Sequence, residues 1–299
     1  MRIGVDMGGT KIEAIALDAK GRELKRLRVA TPREDYAGTI ATVKALVEEL
    51  EMATKRVGSV GVGIPGTVVA ATGLVKNANS TWLNGMPLQR DLSAALEREV
   101  RCANDANCFA VSEGMDGAGK GYGVVFGVIM GTGCGGGIAI EGKAMNGLNG
   151  ITGEWGHTPL PWATGNELPG PKCFCGKRGC LEMWISGTGL ELDFATVAGK
   201  NFRGAEIVAA AAAGDVDAEA ALLRWEDRVA RGLAVVTNIL DPDVIVLGGG
   251  LSNLDRLYTG RVSEKLSGLV FGGGGMTPIV RNVHGDSSGV RGAAWLWSS

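Results

Sequence analysis

The chain has 299 residues and a formal net charge of -2, so it carries no basic field of the kind that binds nucleic acid. Its 45% hydrophobic and 21% charged residues are an ordinary globular composition, and the length fits about two domains. No stretch approaches the about 20 apolar residues of a membrane helix, and MRIGVDMGGTK is too short, and broken by Asp6, to be a signal peptide; a cytoplasmic protein is expected, in which structural disulfides are rare.

In chain order, residues 2–6 and 12–18 read as short apolar strands joined by a glycine turn, and residues 22–30 alternate as a third strand after Ala19-Lys20-Gly21. Ile40, Val43, Leu46, Val47 and Leu50 recur at helical spacing. Residues 57–66 return to a strand that ends in a Gly/Pro loop. Residues 92–100 predict a helix, followed by a short strand before NDAN (104–107). A similar order restarts near residue 123, with the strand GVVFGVIM, the glycine turn GTGCGGG (131–137) and a returning hairpin. Residues 218–240 predict a long helix stopped by Asp241-Pro242, since proline cannot continue it. VIVLGGG (244–250) is a strand running into a turn, residues 251–270 a helix, TPIVRNV a strand, GVRGAAWLW a final helix. A strand, glycine turn and strand thus occur twice, about half a chain apart, which points to two related α/β lobes.

Glycine is the unusual count, at 49. A polyphosphate needs backbone N–H groups held close with no side chain in the way. DMGGTK offers this through Gly8 and Gly9, with a hydroxyl on Thr10 and a cation on Lys11. GTGCGGG supplies a second candidate cradle (Gly131, Thr132, Gly133, Gly135, Gly136), and Gly249 and Gly250 a third at the end of a strand. Neither a Walker A loop nor a dinucleotide fingerprint is present. GGGG (272–275) reads as a loose loop. Asp105 suits either a base or the cap of the helix after it. The cysteines in CFCGKRGC (173–180) have a spacing that by itself suggests metal without excluding a redox pair.

DMGGTK, NDAN, GTGCGGG, EWGH (154–157), CFCGKRGCLE (173–182) and VLGGG (246–250) stand in the order found in the ROK family of sugar kinases, which the chain resembles from Asp6 to its last helix. NSTWLNG (79–85) and HGDSSGVRGAAWLW (284–297) are most similar to the fructokinase (manno-fructokinase) branch. The resemblance implies an α/β fold of the actin/hexokinase/Hsp70 superfamily: two ribonuclease-H-like lobes with a cleft between them. The expected bounds are residues 1–115 plus 286–299 for a small N-terminal lobe, and 116–285 for a large lobe carrying the zinc motif.

The same resemblance implies an ATP-dependent hexose kinase that turns D-fructose into fructose 6-phosphate, with mannose, glucose or N-acetylglucosamine as alternative substrates. Asp105 becomes the general base, and Gly66, Asn79, Asn104, Asp105, Glu154, His157 and Glu182 the sugar-binding set. Such residues suit a sugar because each engages one or two hydroxyls. Asp6 would orient Mg²⁺ or its waters. His157, Cys173, Cys175 and Cys180 would clamp a structural Zn²⁺, whose closed coordination leaves no position for catalysis. Cys102, Cys108 and Cys134 read as small buried residues, and Trp82, Trp155, Trp162 and Trp184 as core more than sugar walls. The implied partners are a small-molecule sugar and a second copy in a homodimer, with no nucleic acid or membrane. A sugar-sensing ROK regulator is the competing reading. Such regulators place a helix-turn-helix ahead of the first phosphate strand, which here begins at residue 2.

Overall fold

A computed structural model describes residues 1–273, 277–285 and 288–297. Gly274 and Gly275 of the GGGG run, and Asp286 and Ser287 of the HGDSSG stretch, lie outside the described residues. Contacts divide the chain into two compact units: Met1–Gly127, Gly137–Gly153 and Val283–Ser299 form the first, Val128–Gly136 and Glu154–Asn282 the second.

The first unit opens with β1 (Arg2–Met7), β2 (Lys11–Leu17) and β3 (Glu23–Ala30), an antiparallel meander. Helix α1 (Tyr36–Thr54) follows, capped by Asp35, whose carboxylate accepts from the Gly38 amide, and closed by Lys55 in the left-handed region. Strand β4 (Ser59–Ile64) pairs parallel with β1. The small ladder β5 (Thr67–Val68) and β6 (Val75–Lys76) leads to α2 (Leu88–Ala95), and β7 (Val100–Asn104) pairs parallel with β4 and enters α3 (Asp105–Asp116). The sheet order is β3-β2-β1-β4-β7. The helix expected over 92–100 sits earlier, because Glu97 takes a positive φ of 53° and the chain must extend again by Val100 to pair with β4.

Alternation along β1 and β4 gives the sheet two different faces. Ile3, Val5, Val60 and Val62 are fully buried in one cluster with Val43, Leu46, Val47 and Leu50 of α1. Burying each such side chain contributes about 1.5–3 kcal/mol. The intervening residues, Gly4 and Gly61, have no side chain because the backbone of the C-terminal helix lies against them: a Cβ on Gly4 would overlap the Val290 carbonyl, and one on Gly61 the Ala293 carbonyl.

The second sheet is built from β8 (Val124–Met130), β9 (Cys134–Ile140), β10 (Lys143–Ala144), β11 (Val244–Gly248) and β12 (Ile279–Arg281), in the order β10-β9-β8-β11-β12. It repeats the strand order of the first, so the internal repeat read from the sequence is a repeat of topology. This is the two-lobed actin/hexokinase/Hsp70 type of fold. The unit boundaries differ from a split at residues 115 and 285: they cut β8 after Gly127 and β9 before Gly137. At those glycines α3 lies directly on the strands, since a Cβ on Gly137 would overlap the Ala106 carbonyl and one on Gly127 would come within 2.8 Å of the Phe109 ring.

In the second unit α4 (Glu182–Ile185), α5 (Gly187–Ala198) and α6 (Gly204–Ala212) precede the long α7 (Val216–Leu240), which ends where Asp241 turns left-handed. The helix expected over 251–270 is broken: two short 3-10 turns cover Gly250–Asn253 and Asp255–Tyr258, and α8 spans only Arg261–Leu269. Gly260, at φ 100°, interrupts it. The C-terminal helix α9 (Ser288–Trp295) returns to the first unit, where wholly buried Glu113 accepts from the Ser288 hydroxyl at 2.7 Å and the Val283 amide at 3.1 Å. No helix among the described residues is long and apolar enough to cross a membrane.

Gly61→Ala tests the seat of α9. It is expected to cost about 2 kcal/mol or more in urea unfolding, the scale of overpacking a tight core. Gly268→Ala, in open space within α8, serves as control and should be neutral or slightly stabilising. Equal midpoints for the two variants would contradict the packing account.

Candidate active site

Register gathers the first half of the site. Asp6 on β1 pairs with Gly63 on β4, and Ile64 pairs with Asn104 on β7. Asp6, the Ile64-Pro65-Gly66 loop and Asn104-Asp105 therefore stand together at the C-terminal ends of parallel strands, where open α/β sheets take ligands. Asn104, not Asp105, is the N-cap of α3: its Oδ1 accepts from the amides of Ala106 and Asn107 at 2.9 and 3.3 Å. Its Nδ2 donates to the Gly66 carbonyl at 3.2 Å, which ties the two loops and leaves one amide hydrogen for a ligand. Asp105 is the first helical residue and is exposed; its Oδ1 also accepts from the Ala106 amide at 2.8 Å.

Gly66 has its own packing reason, because a Cβ there would come within 2.8 Å of Ala78 and the Lys76 carbonyl. The backbone N–H of the exposed Asn79 donates to the Pro65 carbonyl at 3.1 Å, and Asn84 clasps Ala78 through both its side-chain polar atoms. Trp82 packs on the core, with its indole donating to the Thr39 hydroxyl at 3.3 Å.

Asp6 faces α9 across two glycines: a Cβ on Gly289 or Gly63 would lie 3.4 or 3.6 Å from its carboxylate oxygens. Burial, and then the negative charges of Asp105 and Glu13, push its pKa up to about 6 despite the opposing pull of Lys11. A carboxylate so disfavoured as an anion is one that a cation would relieve. The turn beside it, Gly8 to Lys11, is closed by the Gly8 amide donating to the Lys11 carbonyl at 2.9 Å. Gly9 and Thr10 are exposed, and their amides have no hydrogen-bond partner among the described residues.

The second unit holds the other candidates. Only Gly131, Thr132 and Gly133 of GTGCGGG form a turn. Gly135 and Gly136 belong to β9, and Gly137 is glycine because α3 lies on it. The turn is fastened by residues that the motif does not contain: the Gly187 amide donates to the Gly131 carbonyl at 2.7 Å and the Thr188 hydroxyl to the Thr132 carbonyl at 2.9 Å. The cap Ser186 ahead of α5 was the available signal for them. Glu182 is half-buried, not a solvated surface acid, and accepts from the Cys134 amide at 2.9 Å. Gly133 leaves it room, since a Cβ there would come within 2.8 Å of Glu182 Oε2. Burial first, then the charges of Glu182 and Glu154, push the Cys134 thiol well up, so that cysteine is an inert thiol. Gly249, at φ 78°, turns tightly under Met130, where a Cβ would lie 2.5 Å from its carbonyl; the Ser252 amide and hydroxyl cap the Gly249 carbonyl at 3.0 and 2.7 Å.

EWGH is a short 3-10 turn. Exposed Glu154 stands at its cap, buried Trp155 donates to the Gly135 carbonyl at 3.2 Å, and His157 turns into the cysteine cluster. His157 Nδ1 lies 3.6 Å from Cys173 Sγ, the sulfurs of Cys175 and Cys180 are 3.5 Å apart, and all four donor atoms lie within 4.8 Å of one another. A tetrahedral zinc with arms of about 2.3 Å has edges of about 3.8 Å, so the set can hold such an ion. All six cysteines are free, and 3.5 Å is far beyond a disulfide bond of about 2.05 Å. The knuckle is shaped by Gly176 at φ 89°, whose amide donates to the Cys173 carbonyl at 3.0 Å. Behind it, Arg228 and Arg231 of α7 grip Glu167, and Arg224 and Arg228 grip Asp193, with Arg228 stacked 4.5 Å from the Trp184 ring. Burial would raise Glu167, but the hydrogen bonds from Arg231 and Arg228 outweigh it and hold the group at about 2.

A sequence model described as the ROK family matches residues 2–299. An N-acetyl-D-glucosamine kinase of Yersinia pseudotuberculosis serotype O:1b (strain IP 31758) is 42% identical over 300 residues, covering 99% of this chain and 98% of its own. The N-acetyl-D-glucosamine kinase of Erwinia tasmaniensis is 41% identical, covering 99% of each. Among solved structures, a ROK hexokinase from Thermus thermophilus superposes with a TM-score of 0.87 at 32% identity, covering 99% of this chain and 97% of its own. A ROK glucokinase from Streptomyces griseus, solved with glucose and AMPPNP, gives 0.75 at 30% identity, covering 98% and 97%.

The Asp6 environment predicts a pH-dependent gain from neutralising it. The folded protein holds this proton to about pH 6, while the unfolded chain releases it near 3.8, so ionised Asp6 costs stability in full above about pH 6. Asp6→Asn should therefore raise stability at pH 7.5, by about 3 kcal/mol at most, and the gain should fade as pH drops towards 4. Unchanged urea midpoints at pH 7.5 would contradict the assignment.

Proposed function

The chain belongs to the ROK family and is a sugar kinase, and from that premise we propose that it phosphorylates N-acetyl-D-glucosamine with ATP, giving the 6-phosphate and ADP. The observation that carries the chemistry is the exposed Asp105 carboxylate at the end of β7, in the same unit as Asp6 and the free amides of the first turn. The choice of sugar rests on the relatives at 42 and 41% identity over almost the whole chain, which rank N-acetyl-D-glucosamine above the fructose expected from NSTWLNG and HGDSSGVRGAAWLW.

In this reading Asp105 accepts the proton of the primary hydroxyl as it becomes a phosphate ester. Asn104 and Asn79 present amide groups to neighbouring hydroxyls, and Gly66 keeps the loop beside them close. The amides of Gly9 and Thr10 receive phosphate oxygens, with the Gly131-Thr132-Gly133 turn, the first residues of β9 and Gly249-Gly250 as the remaining nucleotide contacts. Mg²⁺, when bound, neutralises the phosphate charge, and Asp6 is the group placed to orient it or its waters. Zn²⁺ is the ion proposed for the His157 cluster, where it serves structure. His157, whose Nδ1 faces Cys173, would hold such an ion through that nitrogen and would then offer Nε2–H to a sugar hydroxyl, alongside Glu154 and Glu182.

A coupled ATP assay over N-acetylglucosamine, glucose, mannose and fructose tests the reading. The highest kcat/KM is expected for N-acetylglucosamine; no turnover with any of the four would sink the kinase assignment. Asp105→Asn is expected to lower kcat by about 10²-fold or more with its fold intact. Protein purified without chelator should carry about one equivalent of zinc, and stripping it should lower sugar affinity and thermal stability before it touches ATP affinity. A folded, fully active, metal-free preparation would remove the clamp from the account.

A further inference from the structure

The first phosphate turn is held from behind by residues outside its motif. The Thr31 amide donates to the Thr10 carbonyl at 3.0 Å, the Thr31 hydroxyl to the Gly8 carbonyl at 2.7 Å, and Arg33 Nε to the Gly9 carbonyl at 3.2 Å. Three consecutive carbonyls are thus pinned to the connection between β3 and α1. That orientation leaves the Gly9 and Thr10 amides free to meet an anion.

Arg33 does more than pin. Among the described residues only its Nε is spent, and it is exposed. Among the described residues no carboxylate pairs with it: neighbouring Asp35 is occupied as the cap of α1. The cations of the neighbouring strands are committed elsewhere: buried Glu13 is shared by Arg26 and Arg28, with Lys11 at 4.0 Å, and Arg26 also pairs with Glu23. An arginine fork anchored through Nε presents its two terminal nitrogens as a preset pair of donors, the geometry that suits phosphate.

We propose that Arg33 is a phosphate-binding residue of this turn, a contact for the polyphosphate of the nucleotide, with Thr31 as the positioning residue behind it. The inference rests on the kinase reading for the identity of the ligand. It makes a demand of its own: the contribution of Arg33 must scale with the phosphate chain and not with the nucleoside.

The test is calorimetric titration of wild type, Arg33→Ala, Arg33→Lys and Thr31→Val with ATP, ADP and AMP, without sugar. Loss of a hydrogen-bonded charge contact predicts about tenfold or greater weakening of ATP binding in Arg33→Ala. AMP affinity should be unchanged, Arg33→Lys should recover part of the loss, and Thr31→Val should show a smaller loss of the same kind. Equal weakening for ATP and AMP would reduce Arg33 to a structural brace, and unchanged ATP affinity would overturn the inference outright. Both outcomes are separable from failure of the kinase reading, which shows as absent sugar phosphorylation by wild type. Should the wild type bind none of the three nucleotides, both proposals fall together.

Discussion

Backbone-to-backbone contact at glycine is the constraint on which the first unit depends. Gly4 and Gly61 admit the α9 backbone onto the sheet, and Gly292 admits α3, since a Cβ there would overlap the Cys108 carbonyl. Alternation then dictates what else that face displays. Two residues beyond Gly4 stands Asp6, on the side of α9, with Gly63 and Gly289 leaving space around its carboxylate. The same close packing holds α3 and hence the strand-to-helix corner that carries Asp105. Burying the Asp6 carboxylate, with Asp105 and Glu13 as like charges nearby, is expensive, and its raised pKa is the record of that cost. Fold stability, drawn from the α1 face of the sheet, offsets it.

The second unit achieves positioning by polar means. Arginines one and two turns apart on α7 satisfy Glu167 and Asp193, and so tie the segment that leads into the cysteine knuckle and the middle of α5 to that helix. Such charges are tolerable when buried because each carboxylate meets more than one donor. From that base, Glu182 reaches the Cys134 amide, and Gly187 and Thr188 reach the carbonyls of the glycine turn. The cysteine cluster, Glu182 and the residues that fasten the glycine turn are therefore consecutive links of one short stretch of chain.

Much of this was legible in the sequence, and the rest was hidden for identifiable reasons. Strand-and-turn repeats foretold two sheets, and the placement of Asp6 and Asn104 at strand ends followed from short apolar runs meeting polar motifs. What pattern cannot convey is why a glycine is there. Gly135 and Gly136 read as turn residues yet lie in β9, and Gly66 read as a sugar approach yet has the chain at Ala78 against it. The contact division falls elsewhere than the expected lobe bounds because α3 lies on parts of β8 and β9, a tertiary fact with no local signature. Thr31, Arg33 and Thr188 escaped notice because their partners are carbonyls, and carbonyls have no residue identity. The sugar, too, lay beyond motif reading: side chains that engage hydroxyls do not distinguish one hexose from another.

In the proposed reaction this chain moves a phosphoryl group from ATP to the primary hydroxyl of N-acetylglucosamine. Phosphorus-proton correlated NMR of the reaction mixture tests it most directly. The account predicts one new phosphomonoester signal coupled to the two protons on carbon 6 of the sugar, growing in step with ADP. Formation of ADP with inorganic phosphate alone, or coupling to the anomeric proton, would contradict it.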